Sequence, residues 1–234
     1  MEPELRDRLA RRLRAVGAPA DDRALAALSG WFDLHAHWAR AYNLTGTRDG
    51  EQLVDLHLAD CAALVPLLPA GRLLDLGSGA GLPGLIIALL EPDRPLVLLD
   101  SASKRTRFLE QVVLELCVRN VRVVTARIES WRPEPDQPLA GVLVRAVAPL
   151  AKLVRWTRPL LAAGTPLLAM KGPAWPAEAE SLPEGYRVTQ VSSYALPGTE
   201  RDHALIRVEA RPAEVREADP GADTVAPETA AERR

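Results

Sequence analysis

Cysteine and histidine are scarce in this chain of 234 residues, which contains two of the former and four of the latter. Cys61 and Cys117 are too few for a disulfide framework, and with so few histidines they do not suggest a metal cluster. We therefore expect no metal. Lysine is also rare: Lys104, Lys152 and Lys171 are the only three, and arginine supplies the other basic residues. We attribute this to the base composition of the source genome.

Long apolar runs are absent as well. No stretch approaches the length that spans a bilayer, and the charged N-terminal stretch MEPELRDRLARRLR lacks the hydrophobic core of a signal peptide. We therefore expect a cytoplasmic protein. The net charge of -2 lies in residues 211–234, where six acids stand against four arginines, so that residues 1–210 sum to zero. This segment is rich in Ala, Pro and Glu and has little to bury, which predicts a disordered tail.

Two patterns divide the remaining chain. Residues 1–70 show helical spacing of apolar residues and predict a helical extension, with Asp21 capping its second helix and another helix over 51–68. From 71 to 210, short apolar runs alternate with amphipathic segments, which predicts an α/β fold with a mostly parallel sheet and an antiparallel hairpin at one edge. The predicted strands are 73–76, 96–99, 121–125, 141–144, 166–170, 186–194 and 203–209, and the predicted helices are 83–91, 103–118 and 149–162.

The stretch LLDLGSGAGLPG, residues 73–84, joins the first of these strands to a helix. Gly77, Gly79 and Gly81 let the chain pass close to a bound ligand. Such a loop is shared by nicotinamide enzymes, flavin enzymes and methyltransferases, so the spacing alone does not choose among them. Asp75, just before the first glycine, would repel a pyrophosphate but complements the ammonium and sulfonium of S-adenosylmethionine.

The second acidic residue of interest is Asp100, which ends the second strand in LVLLDSASKR. A carboxylate at this place accepts both hydroxyls of a ribose, and it is common to the two cofactor classes. Together with Asp75 it favours S-adenosylmethionine as the cofactor. A nicotinamide-dependent oxidoreductase remains an alternative, although no catalytic His, Tyr-Lys or Cys set accompanies the loop. A non-catalytic RNA-binding module of the same fold is another, against which the intact loop and Asp100 count.

The segment after the fourth strand narrows the choice of the atom that is methylated. Enzymes that methylate exocyclic amines carry an Asp/Asn-Pro-Pro-aromatic segment there, whereas this chain has VRAVAP, residues 144–149. Methylation at pyrimidine C5 requires a cysteine nucleophile, and a small buried apolar role is the better interpretation of Cys117. A ring nitrogen with a free lone pair, such as guanine N7, carries no proton and needs no base, so we expect no catalytic side chain.

Several separated motifs now agree in order and interval. They are Trp38, YNLT at 42–45, His57 with Asp60, the glycine loop, LLDSASKRTRFL, RAVA at 145–148 and Lys171-Gly172. On these the chain resembles the bacterial small-subunit ribosomal RNA guanine-N7 methyltransferases, also called the glucose-inhibited division protein B family, over residues 1–209. It departs from the family pattern at Ala39, Leu56 and Cys61, and one residue is inserted before the last strand.

The resemblance implies a Rossmann-like class I S-adenosylmethionine-dependent methyltransferase that acts on N7 of a guanosine in the 530-loop of 16S rRNA, at position 527 in the standard bacterial numbering. Free rRNA, an assembly intermediate or the small ribosomal subunit would be its partner, and a monomer suffices. The predicted domains are 1–70, 71–210 and a tail over 211–234. His57 and Asp60 are expected to anchor the helical extension to the core by hydrogen bonds.

The site residues follow from the motifs and from the resemblance. The residues expected to contact the cofactor are Gly77, Gly79, Gly81, Leu82, Asp100, Ile128, Glu129 and Arg145. The residues expected to contact RNA are Lys104, Arg105, Lys171 and Arg201. The fork of Arg145 suits either the cofactor carboxylate or an RNA phosphate.

Overall fold

The N-terminal part of the chain folds into helices. The computed structural model describes residues 1–41, 44–47, 49–196 and 203–211. Helix α1 spans Pro3–Ala15 and α2 spans Asp22–Trp38. The Asp21 side chain accepts a hydrogen bond from the Ala24 amide at 2.8 Å, so the predicted cap of α2 is confirmed.

The next predicted helix, over 51–68, is built differently. It consists of a short α3, Gly50–Gln52, a π-helical turn, Leu53–Leu58, and α4, Ala59–Ala62. A 3-10 turn, Val65–Leu67, comes next. The π-helical turn inserts one extra residue into the helix beside the cavity described below. Such turns are frequent at functional sites.

Seven strands form one sheet in the order β3-β2-β1-β4-β5-β7-β6. The strands are β1 Leu73–Leu76, β2 Leu96–Asp100, β3 Val121–Thr125, β4 Gly141–Arg145, β5 Leu167–Lys171, β6 Tyr186–Tyr194 and β7 His203–Ala210. The helices between them are α5 Gly84–Leu90, α6 Ser103–Glu115, α7 Leu150–Ala162 and α8 Trp175–Glu180. The predicted sheet and its edge hairpin are confirmed, since β1 to β5 pair in parallel and β7 pairs antiparallel with both β5 and β6.

The central strands β1, β2 and β4 are buried along almost their whole length because helices cover both faces of the sheet. The edge strands β3 and β6 instead alternate between more buried and more exposed positions. The carboxyl ends of β1 to β5 meet at one edge of the sheet. Ligands bind at this edge in open α/β sheets, so the fold predicts the site here.

The helical extension packs onto the sheet domain through apolar side chains. Leu28 and Trp31 of α2 belong to the same buried cluster as Leu85 of α5 and Phe108 of α6. Arg23 adds two hydrogen bonds of 2.9 Å to the carbonyls of Leu89 and Leu90, at the end of α5. The domain boundary at residue 70 stays a prediction, because the extension and the sheet domain share one hydrophobic cluster.

The two cysteines lie in different environments. Cys61 is fully buried, but Cys117 is exposed, so the prediction of a buried apolar role for Cys117 is wrong. Cys117 lies in the turn after α6, with a φ of 52° in the left-handed region, and its place beyond the end of the helix leaves it exposed.

The predicted tail falls almost wholly outside the described residues. Only its first residue, Arg211, is described, and the Arg211 amide donates to the Gly185 carbonyl at 2.7 Å. Disorder of the tail therefore stays a prediction. Within the described ranges no helix has the length and apolar character to cross a membrane.

Candidate functional site

A cavity of about 590 Å³ opens at the carboxyl edge of the sheet. Its volume lies within the range of about 300–1,000 Å³ that small-molecule sites occupy. Seven of the eight residues expected to contact the cofactor line it. They are Gly77, Gly79, Leu82, Asp100, Ile128, Glu129 and Arg145. These residues come from the ends of β1 to β4, which the parallel topology brings together.

The glycine loop forms the floor of the cavity. Gly77 and Gly79 have φ values of 74° and 57°, which disfavour any residue with a Cβ. A Cβ on Gly79 would have only the Gly77 carbonyl oxygen nearby, at 3.9 Å, so it would project into open space. A Cβ on Gly77 would instead lie 2.7 Å from Cγ2 of Val147. The loop thus leaves room for a ligand at Gly79.

Gly81 is the predicted cofactor residue that the structure places elsewhere. It does not line the cavity, and a Cβ on it would lie 2.5 Å from Cβ of Leu85 and 3.2 Å from Cδ2 of Leu109. A glycine is required at this position because the loop packs tightly on α5 and α6. The sequence pattern could not separate this requirement from ligand contact, since both select glycine.

Asp100 ends β2 and holds the loop in place. Its Oδ2 accepts from the Gly79 amide at 3.0 Å, and its Oδ1 accepts from the Ala102 amide at 2.8 Å. A guanidinium nitrogen of Arg105 lies 3.5 Å from Oδ2. Each carboxylate oxygen has more than one lone pair, so Asp100 can still accept from two ligand hydroxyls at the cavity wall.

Asp75 lies beneath the loop and does not face the cavity. Its side chain is buried, with Oδ2 accepting from the Gly84 amide at 3.0 Å and Oδ1 without a partner. Burial raises the pKa of this carboxyl to about 7, although the hydrogen bond from the Gly84 amide acts in the opposite direction. Asp75 is not among the residues that line the cavity, so any effect of its charge on a cationic ligand acts through the loop and not by direct contact.

Arg145, the last residue of β4, joins the cavity to the helical extension. Its Nε donates to Oδ2 of Asp60 at 3.2 Å. Its Nη2 lies 3.2 Å from the Leu56 carbonyl and 2.7 Å from Nδ1 of His57. The prediction that His57 and Asp60 anchor the extension through hydrogen bonds is therefore consistent with the structure.

The contact with Arg145 fixes the state of His57. A guanidinium only donates hydrogen bonds, so Nδ1 of His57 accepts and the ring proton sits on Nε2. Burial lowers the pKa of His57 to about 4, and the charges of Arg145 and His35 act in the same direction. His57 lines the cavity and is thus a neutral hydrogen-bond donor there.

Asp60 is the centre of a buried polar cluster. Besides Arg145, it accepts from the Tyr194 hydroxyl at 2.8 Å, and Nδ1 of His203 lies 3.3 Å from its Oδ1. Tyr194 and His203 stand on β6 and β7, so the cluster also ties the edge hairpin to the site. Burial, followed by the nearby Asp60 charge, raises the pKa of the Tyr194 hydroxyl. The hydroxyl therefore stays a donor to Asp60.

The residues predicted to contact RNA fall into three groups. Lys104 and Arg105 are exposed in the first turn of α6, and Arg105 lines the cavity. Lys171 is largely buried, with its ammonium 2.7 Å from Glu178 and 2.9 Å from the Ala148 carbonyl. This placement favours a role within the protein over contact with phosphate. Arg201 lies outside the described residues.

Sequence reasoning missed part of the cavity wall. Leu44, Thr45 and Gly46 close it from the extension, and Thr45 Oγ1 lies 3.0 Å from Nε2 of His35. Trp156 of α7 is a further lining residue. The YNLT motif did signal the first segment, whereas Trp156 lies in an ordinary amphipathic pattern that carries no such signal.

The residues present fit an adenosyl cofactor. The open space at Gly79 accepts a chain passing over the loop, Asp100 suits a ribose, and Glu129 supplies an acceptor beyond it. Among the described residues, none of those that line the cavity is a cysteine, and no group of three could hold a metal ion. The sheet order, the glycine loop after β1 and the acid that ends β2 define a Rossmann-like class I S-adenosylmethionine-dependent methyltransferase.

Comparison with known proteins identifies the family. The family model of rRNA small subunit methyltransferase G matches residues 24–206. A protein named ribosomal RNA small subunit methyltransferase G from Halorhodospira halophila is 48% identical over 186 residues, covering 80% of this chain and 87% of the relative. Its counterpart from Pseudomonas paraeruginosa is 42% identical over 201 residues, covering 86% and 93%. The chain belongs to the rRNA small subunit methyltransferase G family and is an rRNA methyltransferase.

A solved structure supports the fold alone. The tRNA (uracil-54, C5)-methyltransferase of Pyrococcus abyssi, in complex with S-adenosyl-L-homocysteine, gives a TM-score of 0.50 at 15% identity. The match covers 71% of this chain and 40% of that chain. It is consistent with the methyltransferase sheet described above.

Proposed function

We propose that this protein methylates N7 of a guanosine in the 530-loop of 16S rRNA, at position 527 in the standard bacterial numbering. The observation that carries the proposal is membership of the family, whose model spans residues 24–206 and so includes every residue that lines the cavity. The residue motifs point to the same atom, because N7 offers a lone pair with no proton to remove.

The cofactor would lie along the cavity from the glycine loop to the end of β3. Gly77 and Gly79 would pass under its methionine part, Asp100 would accept from the ribose hydroxyls, and Ile128 and Glu129 would contact the adenine. When bound, S-adenosylmethionine would supply a methyl group on a sulfonium, from which a neutral thioether leaves with the electron pair of the carbon–sulfur bond. The protein's task is then to align the purine nitrogen with that methyl group and to keep water out.

The charges around Arg145 suit a reaction whose product is a cation. Methylation at N7 places a positive charge on the purine ring, which an unbalanced arginine nearby would disfavour. Here the Arg145 guanidinium is paired with the buried Asp60 at 3.2 Å, and His57 is neutral. With its Nδ1 occupied by Arg145, His57 serves as a donor rather than as a base.

The cellular setting and the RNA contacts belong to the same proposal. We expect the enzyme to act in the cytoplasm, where its rRNA substrate is found, and as a monomer, since one chain supplies all the residues named around the cavity. Lys104 and Arg105 are proposed to contact RNA phosphates at the mouth of the cavity, and Arg201 is proposed to contact RNA as well.

The proposal is tested by incubating the purified protein with methyl-labelled S-adenosylmethionine and either free 16S rRNA or small subunits from cells that lack the enzyme. We expect label on N7 of a single guanosine, mapped by chemical cleavage at the methylated base and by mass spectrometry of the fragment. Label on an exocyclic amine, on a pyrimidine or on a ribose hydroxyl would overturn the proposed atom. Binding of NAD in place of S-adenosylmethionine would overturn the reaction class.

A further inference from the structure

The segment between β4 and α7, residues 146–149, forms one wall of the cavity. Ala146 and Val147 line the cavity, and Val147 lies directly over Gly77, where the distance from a Cβ on the glycine would be 2.7 Å. Ala146 has a φ of 53°, in the left-handed region that residues with a Cβ seldom adopt. Such a conformation persists only where the surroundings hold it.

A lysine and a glutamate hold this segment. Nζ of Lys171, at the end of β5, donates to the Ala148 carbonyl at 2.9 Å and to Oε2 of Glu178 at 2.7 Å. The same Oε2 accepts from the Leu150 amide at 2.8 Å. Pro149, between these two anchoring points, has no amide hydrogen to contribute. The ion pair therefore fixes the segment on both sides of the proline.

The Lys171–Glu178 ion pair is partly buried, which strengthens the attraction between its two charges. Its side chains are 13% and 27% exposed, so the attraction between them is less screened than that of a surface pair. Glu178 also places a carboxylate at the first amide of α7, where the helix dipole favours a negative charge. The three hydrogen bonds described above therefore link β5, α7 and α8 to the cavity wall.

We propose that Glu178 is a positioning residue for methyl transfer, acting through Lys171 and the Leu150 amide to hold residues 146–149 against the glycine loop. The inference rests on the proposed function for its substrate. It assigns Lys171 to the interior of the protein, in place of the contact with RNA that the sequence suggested. Glu178 is not among the residues that line the cavity, so its effect is indirect.

The first test compares single-turnover rates at saturating cofactor and RNA. For Glu178→Ala we expect a rate lower by about 10- to 100-fold, the range that a small misplacement of reacting groups produces. Glu178→Gln, whose oxygen still accepts from the Leu150 amide, should lose less. Glu180→Ala removes an exposed glutamate from the same helix and should keep the wild-type rate. Circular dichroism and thermal unfolding establish that each variant is folded.

The second test separates the two roles of Lys171. If the ammonium acts inside the protein, Lys171→Met should slow transfer as much as Glu178→Ala does, and the double variant should be no slower than either. The dependence of rRNA binding on salt should stay unchanged. Two results together would overturn the inference and assign Lys171 to a phosphate. In Lys171→Met the slope of log rRNA affinity against log salt concentration would fall by about one, and Glu178→Ala would keep the wild-type rate.

The third test needs no activity. Hydrogen exchange at the Leu150 amide and its neighbours should be faster in Glu178→Ala than in Glu180→Ala, and Glu178→Gln, which keeps an acceptor for this amide, should lie between them. Unchanged exchange would overturn the inference whatever the substrate is. Failure of the wild-type protein to methylate any guanosine N7 would overturn the proposed function, and the exchange result would still decide on Glu178.

Discussion

At the level of single residues, the three loop glycines meet different requirements. Gly79 opens the cavity, because a Cβ there would enter the space of a ligand. Gly77 makes room for Val147, and Gly81 makes room for Leu85. One motif therefore combines a position that leaves open space in the cavity with two positions that serve packing, and substitutions at the three should have different consequences.

We expect Gly79→Val to abolish binding of S-adenosylmethionine. The branched side chain would fill the space over the loop, and the positive φ adds strain of about 1–2 kcal/mol. Isothermal titration calorimetry measures the affinity, and thermal unfolding measures the strain. Gly81→Val is the matched control, because its clash with Leu85 should lower stability more than Gly79→Val does. Full affinity in a folded Gly79→Val variant would contradict the assignment of the loop.

Asp100 should contribute directly to cofactor affinity. Replacing it with Ala removes the acceptor for the ribose hydroxyls and also releases the Gly79 and Ala102 amides that it holds. We expect the affinity to fall by roughly 1.5–3 kcal/mol, the scale for hydrogen bonds to a charged group. Calorimetry with adenosine, which keeps the ribose and the adenine but lacks the methionine part, tests the ribose contact without the part that passes over the loop. Equal affinities for adenosine in wild type and Asp100→Ala would show that Asp100 acts only on the loop.

The pH dependence of transfer should show no limb from a catalytic base around neutrality. The folded environment lowers the pKa of His57 to about 4, which favours the neutral ring, so this group gains a proton only in acid. Guanine N7 has no proton to lose, so no base needs to be deprotonated as the pH rises. We expect no limb from a catalytic base between about pH 6 and 8. Burial raises the pKa of Asp75 to about 7, so this carboxyl beneath the loop titrates in the same range, and Asp75→Asn identifies its contribution to the rate. A limb that persists in Asp75→Asn and that another imidazole or carboxylate substitution removes would indicate an amine or hydroxyl target instead.

Most of the predicted site residues could be found from the sequence because they lie at the ends of strands. Asp100 and Arg145 end β2 and β4, and Ile128 and Glu129 come shortly after β3, where parallel strands bring side chains together. The orientation of Asp75 and the pairing of Lys171 could not be found this way. Both depend on neighbours, Gly84 and Glu178, that no local pattern connects to them.

At the scale of elements, helix α2 supports the glycine loop from below. Trp31 is fully buried, and its Nε1 donates to the Ala80 carbonyl within the loop at 3.0 Å. The helical extension thus reaches the cofactor site through one hydrogen bond as well as through its apolar face. The extension therefore contacts the cavity at two places, the glycine loop and Arg145, and we expect the first contact to matter for cofactor binding.

We expect Trp31→Phe to weaken S-adenosylmethionine binding and to lower stability by about 1–3 kcal/mol, since the Ala80 carbonyl loses its buried partner. Asp21→Ala is the control: it removes the cap of the same helix at a cost of about 1 kcal/mol without touching the loop. Urea unfolding and calorimetry should show a stability loss in both variants and an affinity loss in Trp31→Phe alone. Equal loss of affinity in both would mean that α2 affects the site only through global stability.

The mostly parallel sheet and its edge hairpin could be predicted because alternating apolar runs and helices admit few sheet topologies. The interior of the extension could not. The π-helical turn at Leu53–Leu58 reads locally as a regular helix, and it is stabilised by contacts distant in sequence, such as the bonds from Arg8 and Arg12 to Asp55. Helix α8 was missed because six residues that include a proline show no helical period.

At the scale of the whole molecule, binding of an anionic substrate needs a local rather than an overall positive charge. The chain carries a net charge of -2, and its residues 1–210 sum to zero. Cations must therefore be concentrated where RNA approaches. Lys104 and Arg105 are exposed at the start of α6, beside the cavity, and α6 has no acid in its first turn.

Lys104 and Arg105 should each neutralise one phosphate of the RNA. If so, the variant with both changed to Ala should bind 16S rRNA more weakly, and the slope of log affinity against log salt should fall by about one for each phosphate that is no longer paired. Arg122→Ala is the control, because this exposed arginine stands near the amino end of β3, at the opposite edge of the sheet, and is paired with Glu134.

Affinity for S-adenosylmethionine separates phosphate contact from a disturbed cofactor site. Arg105 also lies 3.5 Å from Asp100, so its loss could alter the ribose site. We expect Lys104→Ala alone to change only the RNA slope and the double variant to change cofactor affinity slightly. A slope that stays constant in the double variant but falls in Arg122→Ala would place the RNA at the amino edge of the sheet. The cavity would then face away from its substrate, and the proposed methyl transfer at this site would fail with it.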